Sequence, residues 1–308
     1  MTKLLQTFID GLSVGSLYAL IALGYTMVYG VLQFINFAHG DVVMVGAWLS
    51  FLIVAMFGWT NLDPSVAPLA GALVMVAAML ACGTIGVIIE RLAYRPLRNA
   101  PRLNILITAI GVSLFIQNVG QLRFIFGTEP QAMPQLLPEV TLFTLFGVKI
   151  VLRHVVVLAL TWGLMVALDR LIHRSKMGLA MRAASHDVQT ASLMGVPVDR
   201  VISITFFIGS SLAAVGGLLF AVTYQTIQQP ADLSWILLGL KAFVAAVVGG
   251  IGNVRGAMVG GLLIGLLEQF ARSYQKPEFG DVYVFALLIV VLLVKPTGIL
   301  GKPMLQKV

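Results

Sequence analysis

The chain has 308 residues, of which 59% are apolar and 11% charged, and its mean hydropathy is +0.96. An ordinary soluble domain carries about 25% charged residues, so the two soluble domains that the length would permit are excluded and lipid is the bulk solvent for most of the chain. Twenty Lys and Arg against thirteen Asp and Glu give a net charge of +7. No basic run is interleaved with stacking aromatics, which argues against nucleic acid as a partner, and the surplus reads as loops held on the cytoplasmic side of a membrane.

Spanning a bilayer takes roughly 20 apolar residues, while runs of about 10–14 read as half-helices or re-entrant pieces. Long apolar runs lie at 8–31, 42–58, 66–89, 103–122, 151–171 and 202–223, followed by tighter ones at 235–249, 256–271 and 282–296. The first run is too long for the apolar part of a signal peptide and is read as retained. The seventh and eighth are the short ones. The expected fold is all-α: a polytopic membrane protein of about eight or nine transmembrane helices, some short or broken. All twelve prolines, Pro64 and Pro303 among them, fall at or beyond the edges of the runs, where a residue without an amide donor does least harm. The break between the first two runs has no proline and consists of the polar insert Asn36-Phe37-Ala38-His39-Gly40-Asp41.

Cations sort the loops. Arg91, Arg95, Arg98 and Arg102 fill one, Arg170, Arg174, Lys176, Arg182 and Arg200 another, and Arg255, Lys295, Lys302 and Lys307 join them on one side. Lys3, Arg123, Lys149, Arg153, Arg272 and Lys276 are left for the other side, and Lys241 lies within a run. The basic side is cytoplasmic. With nine crossings the C-terminus is inside and the N-terminus outside; with a re-entrant seventh run one terminus flips. The outside loop 123–150 carries Pro130, Pro134 and Pro138 among Phe and Leu, and is expected to pack against something; the inside loop 172–201 is polar and compatible with helix. Ile35-x3-His39-Gly40 and Ile251-x3-Arg255-Gly256 echo each other, either as an inverted repeat or by chance.

Signals for catalysis are weak. Gly11-Leu12-Ser13-Val14-Gly15 matches the nucleophile-elbow pattern, but no strand precedes it, and small residues in a membrane run more simply let helices approach closely. The glycines of 250–256 have the wrong spacing for a dinucleotide loop, and no P-loop occurs. The lone Cys82 and the scattered His39, His154, His173 and His186 show no metal-ligand spacing. The chain reads as a non-enzyme that binds neither metal nor cofactor.

Polar groups at membrane depth are the more informative set, because each ionisable one costs roughly 2.5–3.5 kcal/mol to insert and persists with a partner or a task. Asn36, His39, Gly40 and Asp41 form either a broken helix lining a solute path or a tight turn at the cytoplasmic surface. Lys241 and Glu268 lie at matched depth on adjacent antiparallel runs, as an intramembrane ion pair or as groups facing the path. Gln117, Asn118 and Gln121 read as interhelical hydrogen bonds or solute contacts. In the inside loop, Ala180, Ala184, Val188, Ala191 and Gly195 make one stripe of small residues on a helix over 175–200, with Arg182, His186, Asp187 and Gln189 off it and Gly195 and Pro197 as the stop signal. The small face invites close approach by another surface.

These residues carry a resemblance. Ala191-x3-Gly195 is similar to the cytoplasmic helix that ABC-importer permeases seat in a groove of their ATPase. Gly24-Tyr25-Thr26-Met27-Val28-Tyr29-Gly30, Asn36-Phe37-Ala38-His39-Gly40, Glu90-Arg91-Leu92-Ala93-Tyr94-Arg95-Pro96, Lys241-Ala242-Phe243, Gly249-Gly250-Ile251-Gly252 and Pro296-Thr297-Gly298-Ile299-Leu300-Gly301 extend the likeness over nearly the whole chain. It resembles the LivH-type permeases of branched-chain amino acid importers. The resemblance implies the ABC-importer permease fold as a single transmembrane domain over 1–308, in the bacterial inner membrane. It also implies a second permease of similar fold, two cytoplasmic ATPase subunits that use ATP and Mg, and a periplasmic solute-binding protein received by the outside loops, with 123–150 a periplasmic loop. Loop 172–201 is then the ATPase-docking loop, with Arg182, Asp187, Ala191, Gly195 and Arg200 as coupling residues. Leu179 departs from the family, which often has Arg there, so the charge of the ATPase contact is expected to differ. The implied cargo is a branched-chain or other hydrophobic amino acid. The alternatives are urea or a short-chain amide carried by a close relative, or an ion-coupled carrier using His39, Asp41, Lys241 and Glu268.

Overall fold

The computed structural model describes residues 2–301 apart from 64, 99, 139 and 146; Pro64, Lys302, Pro303 and Lys307 lie outside the described residues. Each apolar run becomes one helix. In chain order these are α1 (Thr2–Leu32), α2 (His39–Met56), α3 (Ala67–Ile89), α4 (Arg102–Gly120) and α5 (Leu152–Arg174), then the short α6 (Lys176–His186) and α7 (Val188–Leu193), then α8 (Val198–Tyr224), α9 (Leu233–Gly249), α10 (Val254–Tyr274) and α11 (Phe279–Val294). α3 continues through a π turn at Glu90–Tyr94 and a 3₁₀ turn at Arg95–Leu97. Among the described residues seven helices are long and apolar enough to cross a membrane, and α9 and α11 are the shorter apolar ones. The eighth run is therefore not short. α10 reaches 21 residues because the Asn253 side chain accepts from the amides of Arg255 and Gly256 at its start, while Arg272 extends its far end by pairing with Glu268 one turn earlier.

Side-chain contacts sort the helix ends into two groups. At one end Arg95 and Arg98 reach Asp199, Arg255 reaches Asp169, and Asn253 donates to the carbonyl of Leu300. At the other, the Lys149 amide donates to Gln6, Asp10 meets His154, and Met133 donates to the carbonyl of Gln225. The nine apolar helices thus alternate in direction, and the two described chain ends lie at opposite ends of the bundle. The described basic loops share one of them.

α1 and α8 form the buried centre. α1 packs along α10 in an antiparallel pair in which a side chain has no room: a Cβ on Gly265 would sit 2.1 Å from the Cα of Gly15, and one on Gly261 2.4 Å from that of Ala19. Gly11, Ser13 and Gly15 are here a packing surface, as small residues are at membrane helix interfaces. α3, α4, α5 and α11 lie outside and turn residues such as Leu80, Phe115, Trp162 and Leu293 outward. The proline-bearing loop packs on the chain itself: β1 (Gln131–Ala132) pairs antiparallel with β4 (Thr226–Ile227), Met133 and Leu136 are buried, and the hairpin of β2 (Thr141–Leu145) and β3 (Val148–Val151) sits against the start of α1, Gly147 beside Thr2.

Two helix ends repeat one another. α1 stops at Gln33 (φ 56°) and α8 at Gln225 (φ 54°), the only non-glycine residues with positive φ among those described. After each, the chain leaves helical geometry for several residues and a shorter helix begins below the end of the one before it. Because α1 and α8 point in opposite directions, α1–α4 and α8–α11 form two groups of inverted topology. The echo between residues 35–40 and 251–256 does not mark this repeat: Gly40 opens the second helix of its group, while Gly256 lies at the start of the third.

Gly265→Ala is expected to cost roughly 2 kcal/mol through overpacking, whereas Gly111→Ala on α4, where a Cβ meets nothing within 4 Å, is expected to be neutral or stabilising by up to about 1 kcal/mol. Thermal unfolding of the two purified variants in detergent checks this order, and the reverse order contradicts the packing described.

Candidate functional site

The break between α1 and α2 lies inside the bundle, not at its surface. His39, the first residue of α2, packs against Gly24, eight residues before the end of α1, which at ~1.5 Å per residue puts it about 12 Å below that end. The sequence allows this because Gly24 leaves the space: a Cβ there would be 2.2 Å from Nε2 of His39. The imidazole meets Tyr25 edge-on at 4.6 Å between centroids. Gly40 touches Gly239 of α9, where a Cβ on Gly239 would lie 2.9 Å from the Cα of Gly40. Asn36 Oδ1 accepts from the Tyr94 hydroxyl at 2.6 Å, and Asp41 Oδ1 from Gln117 Nε2 at 2.7 Å. Asn36, His39, Gly40 and Asp41 are all buried.

Beside this break lies a cavity of about 380 Å³ between α1, α2, α4 and α9, lined by Tyr25, Phe37, Asp41, Gln117, Trp235 and Leu240 among others. Its lining is mostly apolar. Gln117 is thus both an interhelical hydrogen bond and a lining residue, whereas the Asn118 amide donates to Leu114 within its own helix at 2.7 Å.

Lys241 and Glu268 meet at 2.8 Å, both buried. They belong to a larger group than a pair. Lys241 Nζ also lies 2.6 Å from Asp281, Arg272 reaches Glu268 at 2.7 Å and Asp281 at 3.5 Å, and the Tyr18 hydroxyl donates to Glu268 at 2.6 Å. Two cations and two carboxylates from α9, α10 and α11 neutralise each other, with α1 supplying the phenol. The cluster does not line the cavity beside Asp41.

The loop 172–201 differs from the single helix expected. Asp187 is extended (φ −160°), ends α6 and caps α7 by accepting from the amide of Thr190 at 3.0 Å. Aspartate competes for backbone donors in this way, which is why it starts helices. The small stripe is split: Ala184 and Ala191 are buried against the chain itself, while Val188 and Gly195 are exposed; Gly178, off the stripe, packs on the carbonyl of Ile172. Arg182 donates to that same carbonyl. Gly195 (φ 82°) and Arg200 are exposed. Among the residues turned outward, Leu193 is 88% and Met194 81% exposed, and Leu179 and Val188 are exposed as well. Next to them, Glu90 accepts from Ser203 at 2.8 Å and from Arg98, and Asp199 holds Arg95 and Arg98, so the end of α3 is fastened to the start of α8 directly after the loop.

Sequence reasoning missed Tyr18, Glu90, Tyr94, Arg272 and Asp281. Glu90 and Asp281 carried a usable signal, each being a carboxylate at the edge of an apolar run. Tyr18 and Tyr94 carried none, since a tyrosine in apolar sequence reads as core.

A family model described as the permease component of branched-chain amino acid transport systems matches residues 7–292. The chain is 44% identical over 307 residues to the high-affinity branched-chain amino acid transport system permease protein LivH of Salmonella typhimurium, covering 99% of this chain and 97% of the relative. It is 42% identical to the corresponding BraD permease of Pseudomonas aeruginosa, covering 99% and 98%, and 28% identical to a probable branched-chain amino acid permease of Methanocaldococcus jannaschii, covering 93% and 89%. No solved structure matches.

Removing Lys241 alone leaves Glu268 and Asp281 against Arg272, one buried negative charge in excess. Removing Glu268 as well restores neutrality. Lys241→Ala is therefore expected to destabilise by roughly 3–5 kcal/mol, and the double variant with Glu268→Ala by less than that single change. A double-mutant cycle in detergent measures the coupling; strict additivity contradicts it.

Proposed function

This chain belongs to the permease components of branched-chain amino acid transport systems, and on that premise we propose that it is the permease subunit of an ATP-binding-cassette importer moving branched-chain or other hydrophobic amino acids across the bacterial inner membrane by alternating access. It is a multi-pass membrane protein whose family transports rather than catalyses. On this reading the whole chain is one permease domain. It works with a second permease of similar fold, two cytoplasmic ATPase subunits and a periplasmic binding protein, and it binds no cofactor itself, ATP and Mg being used by the ATPases.

The observation that carries the reading is the apolar cavity at the interrupted start of α2, deep in the bundle. Irregular backbone at membrane depth is tolerated where protein or a water-filled space covers it, and a solute path supplies such a space. Phe37, Trp235 and Leu240 suit an aliphatic side chain better than urea. The groups an ion-coupled carrier would use are split between two places, with His39 and Asp41 at the break and Lys241 locked with Glu268 and Asp281.

Coupling follows from the cytoplasmic end. The exposed Leu193 and Met194 form the surface that an ATPase would cover, and Gly195 and Arg200 border it. Arg182, Asp187 and Ala191 act from beneath by holding α6 and α7 in place. Closure of the ATPases would move these helices, and through the contacts of Arg95 and Arg98 with Asp199 the ends of α3 and α8, which pack along each other and along α2.

Reconstitution with the partner subunits, testing labelled leucine, a polar amino acid and urea in parallel, examines the reading. ATP-dependent leucine uptake is expected; uptake of urea alone, or leucine uptake by this chain alone on an ion gradient, overturns it. Leu193→Asp is expected to insert at the wild-type level and to lower ATP-dependent uptake at least about tenfold, because a charge replaces a desolvated apolar contact.

A further inference from the structure

We propose that Asp41 binds the ammonium group of the transported amino acid, with the apolar walls of the adjoining cavity receiving its side chain. The proposal rests on the transport reading above and adds a subsite to it. Asp41 stands in the first turn of α2 and is 4% exposed. A carboxylate so placed gains from the helix N-terminus, and Gln117 supplies one hydrogen bond to Oδ1. Neither neutralises the charge, and no described Lys, Arg or His forms an ion pair with it. The cations at membrane depth nearest in the fold are already committed, Lys241 to Glu268 and Asp281, and Arg272 to the same two carboxylates.

A buried carboxylate without a cation is costly. Here it borders a cavity of about 380 Å³, at the small end of the roughly 300–1,000 Å³ of ligand pockets. The rest of the lining includes Phe37, Ile110, Leu114, Trp235 and Leu240. One anionic point in an open apolar cleft is complementary to a compact ligand with one cationic point and an aliphatic body. A neutral amide or urea would find hydrogen bonds at Asp41 and Gln117, but would leave the charge unmatched and the apolar walls uncovered.

The test uses the full permease assembly in lipid nanodiscs without the binding protein, so that only the membrane subunits select. Saturable binding of tritiated leucine is expected, displaced by leucinamide, which keeps the ammonium group, and not by 4-methylpentanoate, which lacks it. Asp41→Asn is expected to weaken leucine binding by at least about tenfold, the size of a lost charge-assisted contact, and to erase the preference for the amine; Asp41→Glu should keep that preference. A residue that merely tied α2 to α4 would leave the preference unchanged. Wild-type affinity in Asp41→Asn, equal displacement by 4-methylpentanoate, displacement by urea, or no saturable binding to the wild type each overturns the subsite. ATP-driven leucine uptake by the same wild-type subunits, reconstituted in proteoliposomes with the binding protein, is measured alongside: if it persists while the subsite fails, the transport reading stands, and if it is absent, that reading falls too. Should Asp41→Asn not assemble, displacement from the wild type alone still decides.

Discussion

Inside a bilayer there is no water to satisfy a backbone amide or carbonyl, so a chain that interrupts a helix there must cover the freed groups with protein or open them to a water-filled space. This protein interrupts itself twice, after Gln33 and after Gln225, and much of its polar chemistry serves those two places. At the first, Gln33 donates to the carbonyl of Tyr29, His39 donates to that of Asn36, and Tyr94 reaches across from beyond α3 to the side chain of Asn36. At the second, Met133 donates to the carbonyl of Gln225, β4 pairs with β1, and the indoles of Trp48 and Trp235 both donate to the carbonyl of Gln228, at 3.1 and 3.2 Å. Trp48 belongs to the helix that follows the other break. The helix after the first break therefore helps to close the second, and the two following helices touch at Gly40 and Gly239.

That mutual dependence gives the bundle its division of labour. The centre is packed too closely to yield, with α1 against α10 through glycines and α8 against α3 through Gly83 and Gly86. The charge cluster of Lys241, Glu268, Arg272 and Asp281 binds α9, α10 and α11 into one body, with α1 joined through Tyr18. The cavity lies where the lining is thinnest, between the start of α2, the outer helix α4 and the early part of α9. At the basic end, Leu193 and Met194 stand exposed between Asp187 and Arg200, while Arg95, Arg98 and Asp199 connect the loop to the long helices. Rigid blocks meeting at an interrupted helix are what alternating access requires.

Much of this is legible in the sequence because lipid imposes a coarse rule: nine apolar runs give nine helices, and the cations given to the basic side that are described meet at one end. The meeting of Lys241 with Glu268 is legible for a similar reason, since the tight turn near 250–253 fixes the register of the two runs it joins. The partners of that pair are not. In helices apolar on every face, hydropathy carries no information on rotation, so nothing in the sequence aims Tyr18, Arg272 or Asp281 at the same point. The docking loop shows the same limit from another side. Periodicity groups Ala184 and Ala191 on one face, but small residues pack inward as readily as they invite a partner, and here they pack inward. The polar insert at residues 36–41 announces an interruption, and only the space left by Gly24 and Gly239 decides that it sits deep.

The central claim is that the cavity beside the start of α2 belongs to a solute path and is not a packing defect facing lipid. Its most direct measurement is thiol accessibility. The native Cys82 is fully buried and supplies a silent background, so Ser113→Cys, on the cavity wall, reports on that place alone. In the assembled transporter in native membranes, this cysteine is predicted to react with a membrane-impermeant maleimide, at a rate that changes when the ATPases are trapped with ATP and falls when leucine is added. A cysteine at 113 as inert as Cys82 in every state would contradict the account.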